Sequence, residues 1–380
     1  DLAVLTLLDL SAAFDTVDHV TILRRLQESY GLEGNVIGWF ASYLGSRVQS
    51  VCSGTSRSIC RPVLCGVPQG SVLGPILFVL YTADLIRLIA RYDLHSHLYA
   101  DDTQIYGSCL PTATAELQSR MSACIDAVAQ WMRSNRLQLN TAKTEVLWCS
   151  SALRQHQIPT EPLMVGADAV EPARSVRDLG IYIDANVSSM RTHVSRTVSS
   201  CFAALRQLRS IRRSVTQPVM QSLVVSLVLS RLDYGNATLA GLPDNLLDRL
   251  QSVLNAAYSA RKVDHVTPLL RELHWLPVRE RITFRLAVLA YRCQHKLAPP
   301  YLASSLHRVA DIDSRRRLRS ASTAQLNVPL ATRSTIGDRA FPVAAARAWN
   351  SLPVSVTSAP SLLAFRRRLK TELFRKAYTR

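Results

Sequence analysis

Lysine is the scarcest charged residue in this sequence: five of the 45 basic side chains are Lys and the other 40 are Arg. The positive charge is therefore almost wholly guanidinium, which forks onto phosphate in a way an ammonium cannot. Metal-type cysteine motifs are missing. The eight cysteines, at 52, 60, 65, 109, 124, 149, 201 and 293, include no C-x-x-C and no Cys/His zinc spacing. A zinc finger is excluded, and they read as reduced, mostly buried thiols of an intracellular protein. Long apolar runs are missing as well. Val72–Tyr81 and Leu223–Leu229 fall short of the ~18 residues of a membrane helix, no secretory leader is visible, and no membrane partner is expected. There is no internal repeat and no low-complexity tract. The first residue is Asp1 rather than Met, directly in a strand-like apolar run, which reads as a fragment whose upstream part is missing.

What the chain does hold is apolar bulk and a lopsided charge. Hydrophobic residues make up 48% of 380, which excludes global disorder and leaves room for two or three domains. Residues 1–150 carry 11 basic and 13 acidic side chains, a balance of −2, and residues 151–380 carry 34 and 15, a balance of +19. A strongly basic, Arg-rich remainder points to a polyanionic partner, nucleic acid first.

Leu2–Leu8 reads as a central strand covered on both faces and ending at Asp9. Asp18 stands as an N-cap before His19, Ile22, Leu23 and Leu26 at helical spacing. Gly45–Gly66 is polar, turn-rich and partly stranded. Pro75 sits in the first turn of a helix running to about Arg91. Leu98–Tyr106 reads as a tight hairpin with Asp101-Asp102 at its tip. Leu117, Met121, Cys124, Ile125, Val128 and Trp131 form a helical core stripe. Arg136–Leu139 and Glu145–Cys149 read as short strands around a turn at Asn140–Thr144. Ser150–Pro172 is loop-rich, and Ser175–Asp184 is a strand pair or bend. From about Val187 the pattern is mainly helical and basic. Ser304–Gly337 is polar with few regular signals, and Leu362, Phe365, Leu369 and Leu373 form a last helical stripe.

The acids carry the chemistry. Asp9 ends a buried strand and Asp101-Asp102 tips a hairpin. Three carboxylates brought together repel and raise each other's pKa, a penalty that hard divalent cations such as Mg²⁺ remove. Two such ions can activate a 3′-hydroxyl and stabilise a departing pyrophosphate.

The surroundings of these acids resemble the palm of reverse transcriptases, specifically those of non-LTR (LINE-type) retrotransposons. Leu8-Asp9-Leu10-Ser11-Ala12-Ala13-Phe14-Asp15 is similar to their first motif. Gly66-Val67-Pro68-Gln69-Gly70-Ser71-Val72-Leu73-Gly74-Pro75 is similar to the second, and Tyr99-Ala100-Asp101-Asp102 to the Y-x-D-D box. Leu139-Asn140-Thr141-Ala142-Lys143-Thr144 resembles the fourth motif and Leu179-Gly180-Ile181-Tyr182-Ile183 the fifth. All five occur in family order within residues 1–185. The resemblance implies an α+β fold: a right-hand polymerase palm, an antiparallel sheet backed by helices, over 1–186, then a thumb-like helical region over 187–260 and a basic C-terminal region over 261–380. It implies that Asp9, Asp101 and Asp102 bind two Mg²⁺ ions, with Mn²⁺ as a possible substitute, and that the Leu10 carbonyl faces a metal. Phe14 matches the aromatic under the sugar, where a bulky ring opposes a 2′-hydroxyl. Gln69 and Gly70 match residues flanking the incoming nucleotide and templating base. Lys143, the one lysine in the first 261 residues, matches a residue near the leaving phosphates. Leu179, Gly180 and Ile181 match the segment that positions the primer end. Arg191, Arg196, Arg206, Arg209, Arg212 and Arg213 suit phosphate contacts on a template–primer duplex. Leu276-Pro277-Val278-Arg279, Leu297-Ala298-Pro299-Pro300-Tyr301-Leu302 and Trp349-Asn350-Ser351-Leu352-Pro353 resemble the C-terminal segment of some LINE-type proteins. Trp275, Trp349 and Tyr301 there read as core first and base-stacking second.

The family's basic fingers, an N-terminal endonuclease and a Cys/His knuckle are not matched, so the chain is expected to polymerise poorly or not at all alone. The expected activity is RNA-directed DNA polymerisation, with an RNA template, a DNA primer or target and dNTPs as partners, in the nucleus and cytoplasm. The alternatives are a non-catalytic nucleic-acid-binding remnant of a decayed element and an intron-encoded maturase.

Overall fold

A computed structural model describes residues 1–258, 271–312, 324–331 and 334–378. The polar stretch expected over Ser304–Gly337 lies partly outside the described residues. The chain divides into two compact units, Asp1–Asp178 and Leu179–Arg380.

The first unit is built on β1 (Leu2–Ser11), whose side chains alternate between buried and half-buried. Leu2, Val4, Leu8 and Leu10 enter the core. The strand is central, as its apolar run implies, but its two faces are unequal, because only alternate side chains of a pleated strand face one layer. After β1 come α1 (His19–Glu28) and α2 (Gly34–Leu44), then two short strand pairs, β2 (Val48–Gln49) with β5 (Arg61–Pro62) and β3 (Cys52–Ser53) with β4 (Ser56–Arg57). Next are α3 (Leu73–Thr82), α4 (Asp84–Ala90), β6 (His95–Tyr99), β7 (Asp102–Cys109), α5 (Thr114–Ser134) and β8 (Gln138–Cys149). A hairpin of β9 (Leu163–Val165) and β10 (Asp168–Val170) and the strand β11 (Ser175–Asp178) complete the unit.

The sheet runs β6-β7-β1-β8 with every neighbour antiparallel. Helix α5 lays the expected stripe of Leu117, Met121, Cys124, Ile125 and Val128 into the core, joined by Met132. Each such side chain, once buried, contributes about 1.5–3 kcal/mol. Leu77, Phe78 and Tyr81 of α3 and Leu85 and Ile89 of α4 join the same core. By length and composition the 18 residues Leu73–Ala90 suffice to cross a membrane. Asp84 and Arg87 interrupt this stretch, and Leu77, Phe78, Tyr81, Leu85 and Ile89 within it are packed into the core.

Two further expectations change. The cysteines are all free, but Cys52, Cys60 and Cys65 are exposed and only Cys124, Cys201 and Cys293 are buried. The exposed three lie in or beside the small strand pairs, which have no packed layer to cover them. The two short strands expected around Asn140–Thr144 are one strand, β8, with a bulge in it.

The second unit holds β12 (Ile181–Asp184), α6 (Arg191–Ile211), α7 (Gln217–Val224), α8 (Ser230–Asp233), α9 (Asp244–Tyr258), α10 (Val278–Gln294), α11 (Phe341–Asn350) and α12 (Leu362–Tyr378), among shorter turns. Leu205, Leu208, Leu250 and Leu254 share one core with Leu286, Tyr291, Trp349, Phe365 and Leu369. Trp349 is buried, stacks on Phe365 and donates its indole N–H to the Ala324 carbonyl. It is a core residue, whereas Tyr301 is exposed. Arg339 ties the unit together by donating to the carbonyls of Val187 at 2.9 Å, Ala240 at 3.1 Å and Thr238 at 3.3 Å.

Two outcomes follow from these contacts. Asp18 caps α1 by accepting from the Thr21 N–H at 3.0 Å and hydroxyl at 2.7 Å, and it pairs with Arg136 at 2.9 Å. Burial pushes its carboxyl up, but the Thr21 bonds and Arg136 outweigh this and hold it below the 3.8 of a free Asp. Asp18→Ala should cost about 1–2 kcal/mol, read as faster hydrogen exchange in the first turn of α1. Because the folded pKa is depressed, Asp18 stabilises the fold above pH 3.8, and the contribution fades as pH falls through the folded value. The gap between wild type and variant should therefore close in acid. In the second unit, Arg339→Ala should lower stability by about 2–3 kcal/mol in a thermal melt, and Arg339→Lys should not restore it, since one ammonium cannot span three carbonyls.

Candidate active site

The carboxylates meet at one end of the four-stranded sheet because of strand register. The β1–β7 ladder runs to Leu8↔Thr103, which leaves Asp9 and Asp102 as the next residues on adjacent strands. The β6–β7 hairpin closes at Tyr99↔Asp102, so Ala100 and Asp101 are the two turn residues and Asp102 is the first of β7. Ala100 has φ +53°. A left-handed residue suits a two-residue hairpin turn, and for a non-glycine it stores about 1–2 kcal/mol of strain.

On the other side of β1, pairing passes from Leu7↔Glu145 to Asp9↔Asn140. One residue of β1 faces four of β8, and the surplus bulges out. The Thr144 hydroxyl donates to the Asn140 carbonyl at 3.1 Å inside the bulge. This detour turns Lys143 back onto Asp9: Nζ lies 3.2 Å from Oδ2, and Asn140 Nδ2 donates to the same oxygen at 3.5 Å.

Electrostatics report the same gathering. Partial burial raises the Asp102 carboxyl, and the charges of Asp101 and then Asp9 raise it further. A fourth acid belongs to this field. Asp178, at the end of β11, is raised by burial and then by Asp102, is partly relieved by His97, and accepts from Gln104 Nε2 at 2.6 Å. Sequence reasoning missed Asp178. Its one sequence signal was its place immediately before the Leu179-Gly180 motif.

The second motif crosses the turn that follows β1. Gly66 donates to the Val17 carbonyl at 2.7 Å and Val67 to the Phe14 carbonyl at 2.8 Å. Gly66 has φ +84°, and a Cβ there would stand 2.8 Å from the Asp15 carbonyl oxygen, so only glycine lets the two chains cross this closely. The Gly66 carbonyl accepts from Arg47, whose Nε also donates to the Leu44 carbonyl at 2.9 Å. Beyond the crossing, Gln69 and Gly70 are exposed, and Gln69 Nε2 donates to Asp15 Oδ1 at 2.8 Å. Phe14 is half-buried with its ring 4.8 Å from that of Phe78. Leu10 is buried, so any contact it makes in the site comes from its main chain.

Thus Asp9, Asp102 and Lys143 come together with Asp101 beside them, while Phe14, Gln69 and Gly70 follow on the first and second motif loops. Leu179, Gly180 and Ile181 belong to the second unit. There Leu179 and Gly180 have φ +43° and +85°. Tyr234 donates its hydroxyl to the Leu179 carbonyl, and a Cβ on Gly180 would stand 3.0 Å from the Tyr234 ring. On α6 and just beyond, Arg206, Arg209, Arg212 and Arg213 are exposed, and Arg196 lies over the Tyr182 ring.

All-oxygen donors whose negative charge Lys143 offsets only in part suit a hard divalent cation. Among the described residues no three His, Cys, Asp or Glu side chains stand as a ready metal-ligand cluster. The acids share a field without forming a closed cage.

The family model for reverse transcriptase (RNA-dependent DNA polymerase) matches residues 2–183. A probable RNA-directed DNA polymerase from transposon BS of Drosophila melanogaster is 31% identical over 53% of this chain and 22% of its own length. The RNA-directed DNA polymerase of the mobile element jockey from the same organism is 24% identical over 61% of this chain and 25% of its own. The Pol polyprotein of a type-1 retrotransposable element R1 from Bradysia coprophila is 25% identical over 46% and 17%. The chain thus spans a quarter or less of these relatives. Among solved structures, telomerase from Candida albicans overlaps with 69% of the chain and 48% of its own at 13% identity and a TM-score of 0.38. Residues 2–183, which hold all five motifs, thus match the reverse transcriptase family, and the chain is similar to the RNA-directed DNA polymerases of non-LTR retrotransposons.

Proposed function

We propose that this chain carries the catalytic palm of an RNA-directed DNA polymerase that adds dNTPs to a DNA primer on an RNA template. The observation that carries this reading is the bulge in β8, which sets Lys143 and Asn140 against Asp9 while the hairpin sets Asp101 and Asp102 beside it. Asp9, Asp101 and Asp102 would hold two Mg²⁺ ions, or Mn²⁺ in their place, with the Leu10 carbonyl as a further donor. When bound, such ions neutralise charge at the attacking 3′-oxygen and at the departing pyrophosphate.

The chain's own residues supply the rest. Lys143 brings a cation to the carboxylate edge, where its proton can serve the leaving phosphates. Phe14, braced by Phe78, places a rigid ring where a 2′-hydroxyl would have to fit. Gln69 and Gly70 border the nucleotide and templating base. Residues 187–260 act as the thumb, with Arg206, Arg209, Arg212 and Arg213 on duplex phosphates, where each contact strengthens binding and its salt dependence. Leu179, Gly180 and Ile181 support the primer end.

The deciding experiment is primer extension on an RNA template with Mg²⁺. Asp101→Asn should cut extension by about 10³-fold, the scale for losing one preorganised electrostatic group, while template–primer binding persists. Equal extension by wild type and variant would refute the assignment of the acids. In the same assay Phe14→Val should raise incorporation of ribonucleotides relative to deoxynucleotides about 10-fold or more, roughly what a small steric change in a pocket commands. An unchanged ratio would remove Phe14 from the sugar site.

A further inference from the structure

Asp15 is exposed, and its carboxylate reaches one partner among the described residues, the side-chain amide of Gln69 at 2.8 Å. The contact is set up by main chain. Gly66 and Val67 bond to Val17 and Phe14 on either side of Asp15, and the absence of a Cβ at Gly66 lets the second loop pass directly over the Asp15 backbone. Arg47 holds the Gly66 carbonyl from beneath. Gln69 therefore arrives beside Asp15 by construction.

The chemistry of the pair is directional. A carboxylate can only accept, so the Gln69 amide must turn its NH₂ group toward Asp15 and its Oε1 away. A glutamine without such a partner presents oxygen or nitrogen in either sense, and the two senses read opposite hydrogen-bonding patterns. We infer that Asp15 is a positioning residue: it holds the Gln69 amide in one orientation, so that Gln69 meets the incoming nucleotide with its acceptor oxygen and one remaining N–H. This rests on the polymerase reading above, in which Gln69 borders the nucleotide. Asp15 touches neither nucleotide nor template. It acts on nucleotide recognition through Gln69 alone.

The test is a double-mutant cycle on the full chain with Asp15→Ala, Gln69→Ala and the pair, followed by steady-state primer extension and by the Gln69 side-chain amide signals in ¹⁵N NMR without substrate. Asp15→Ala should raise the KM for dNTP about 5–10-fold, the scale of one net hydrogen bond, and leave kcat within about twofold. In the Gln69→Ala background the same change should have no further effect, because the group it positions is gone. Asp15→Asn keeps an acceptor oxygen and should recover part of the loss. The Gln69 amide protons should move in Asp15→Ala. Additive effects in the cycle, or unmoved Gln69 amide signals, would overturn the inference. Failure of the polymerase reading has its own signature: extension by the wild type that Asp101→Asn leaves intact. The NMR arm then still decides whether Asp15 orients Gln69.

Discussion

Like charges are held together here at the end of a sheet, and that constraint organises the first unit. Carboxylates that face one another cost on the order of a few kcal/mol per pair at an effective dielectric of about 20. They stay where they are because the strands that carry them are anchored in the core. Leu2, Val4 and Leu8 bury one face of β1 in a core shared with side chains of α3 and α5, and the β1–β7 register then leaves Asp9 and Asp102 no choice of neighbour. Burial first, and then the neighbouring carboxylates, raise the carboxyls of Asp102 and Asp178. Lys143 offsets part of it by pairing with Asp9.

Backbone irregularity borders the acids, although other left-handed residues, such as Ser46, Asp93, Arg136, Met190, His274 and Lys296, lie elsewhere. Ala12 and Ala100 both adopt positive φ without being glycine, one after β1 and one at the hairpin tip. β8 breaks its ladder beside Asp9. Gly66 occupies a crossing that no other residue could. Left-handed alanines and bulges are destabilising in themselves and persist when surrounding structure over-determines them. In this chain that surrounding structure is the sheet and the stripe of α5.

Much of the first unit was legible in the sequence, for physical reasons that differ by element. The cap at Asp18 and the stripe of α5 are local, since a helix face and its first turn are encoded within a few residues. The hairpin at Asp101-Asp102 was legible to within one residue. The turn proper is Ala100–Asp101, because alanine at positive φ is not a signal a sequence displays. The Asn140–Thr144 bulge read as a turn between two strands, since both interrupt an alternating pattern and only the partner strand tells them apart. Asp178 and the Asp15–Gln69 contact depend on residues 74 and 54 positions away, and no local pattern announces them. In the second unit the last helix was legible from the periodicity of Leu362, Phe365, Leu369 and Leu373, and the rest only as a mainly helical pattern. The packing of Trp349 and Phe365 into the same core as α6 was not, because it is a property of the tertiary fold.

The central claim is that Asp9, Asp101 and Asp102 act as one site for divalent cations. Its most direct test is Mn²⁺ binding, followed by electron paramagnetic resonance on the chain with template–primer and dNTP present, in wild type and in Asp9→Asn. The account predicts bound Mn²⁺ in the wild type and affinity weakened at least about 10-fold in the variant, the lower end of what losing a ligand-shell group costs. Indistinguishable binding by the two proteins would contradict it.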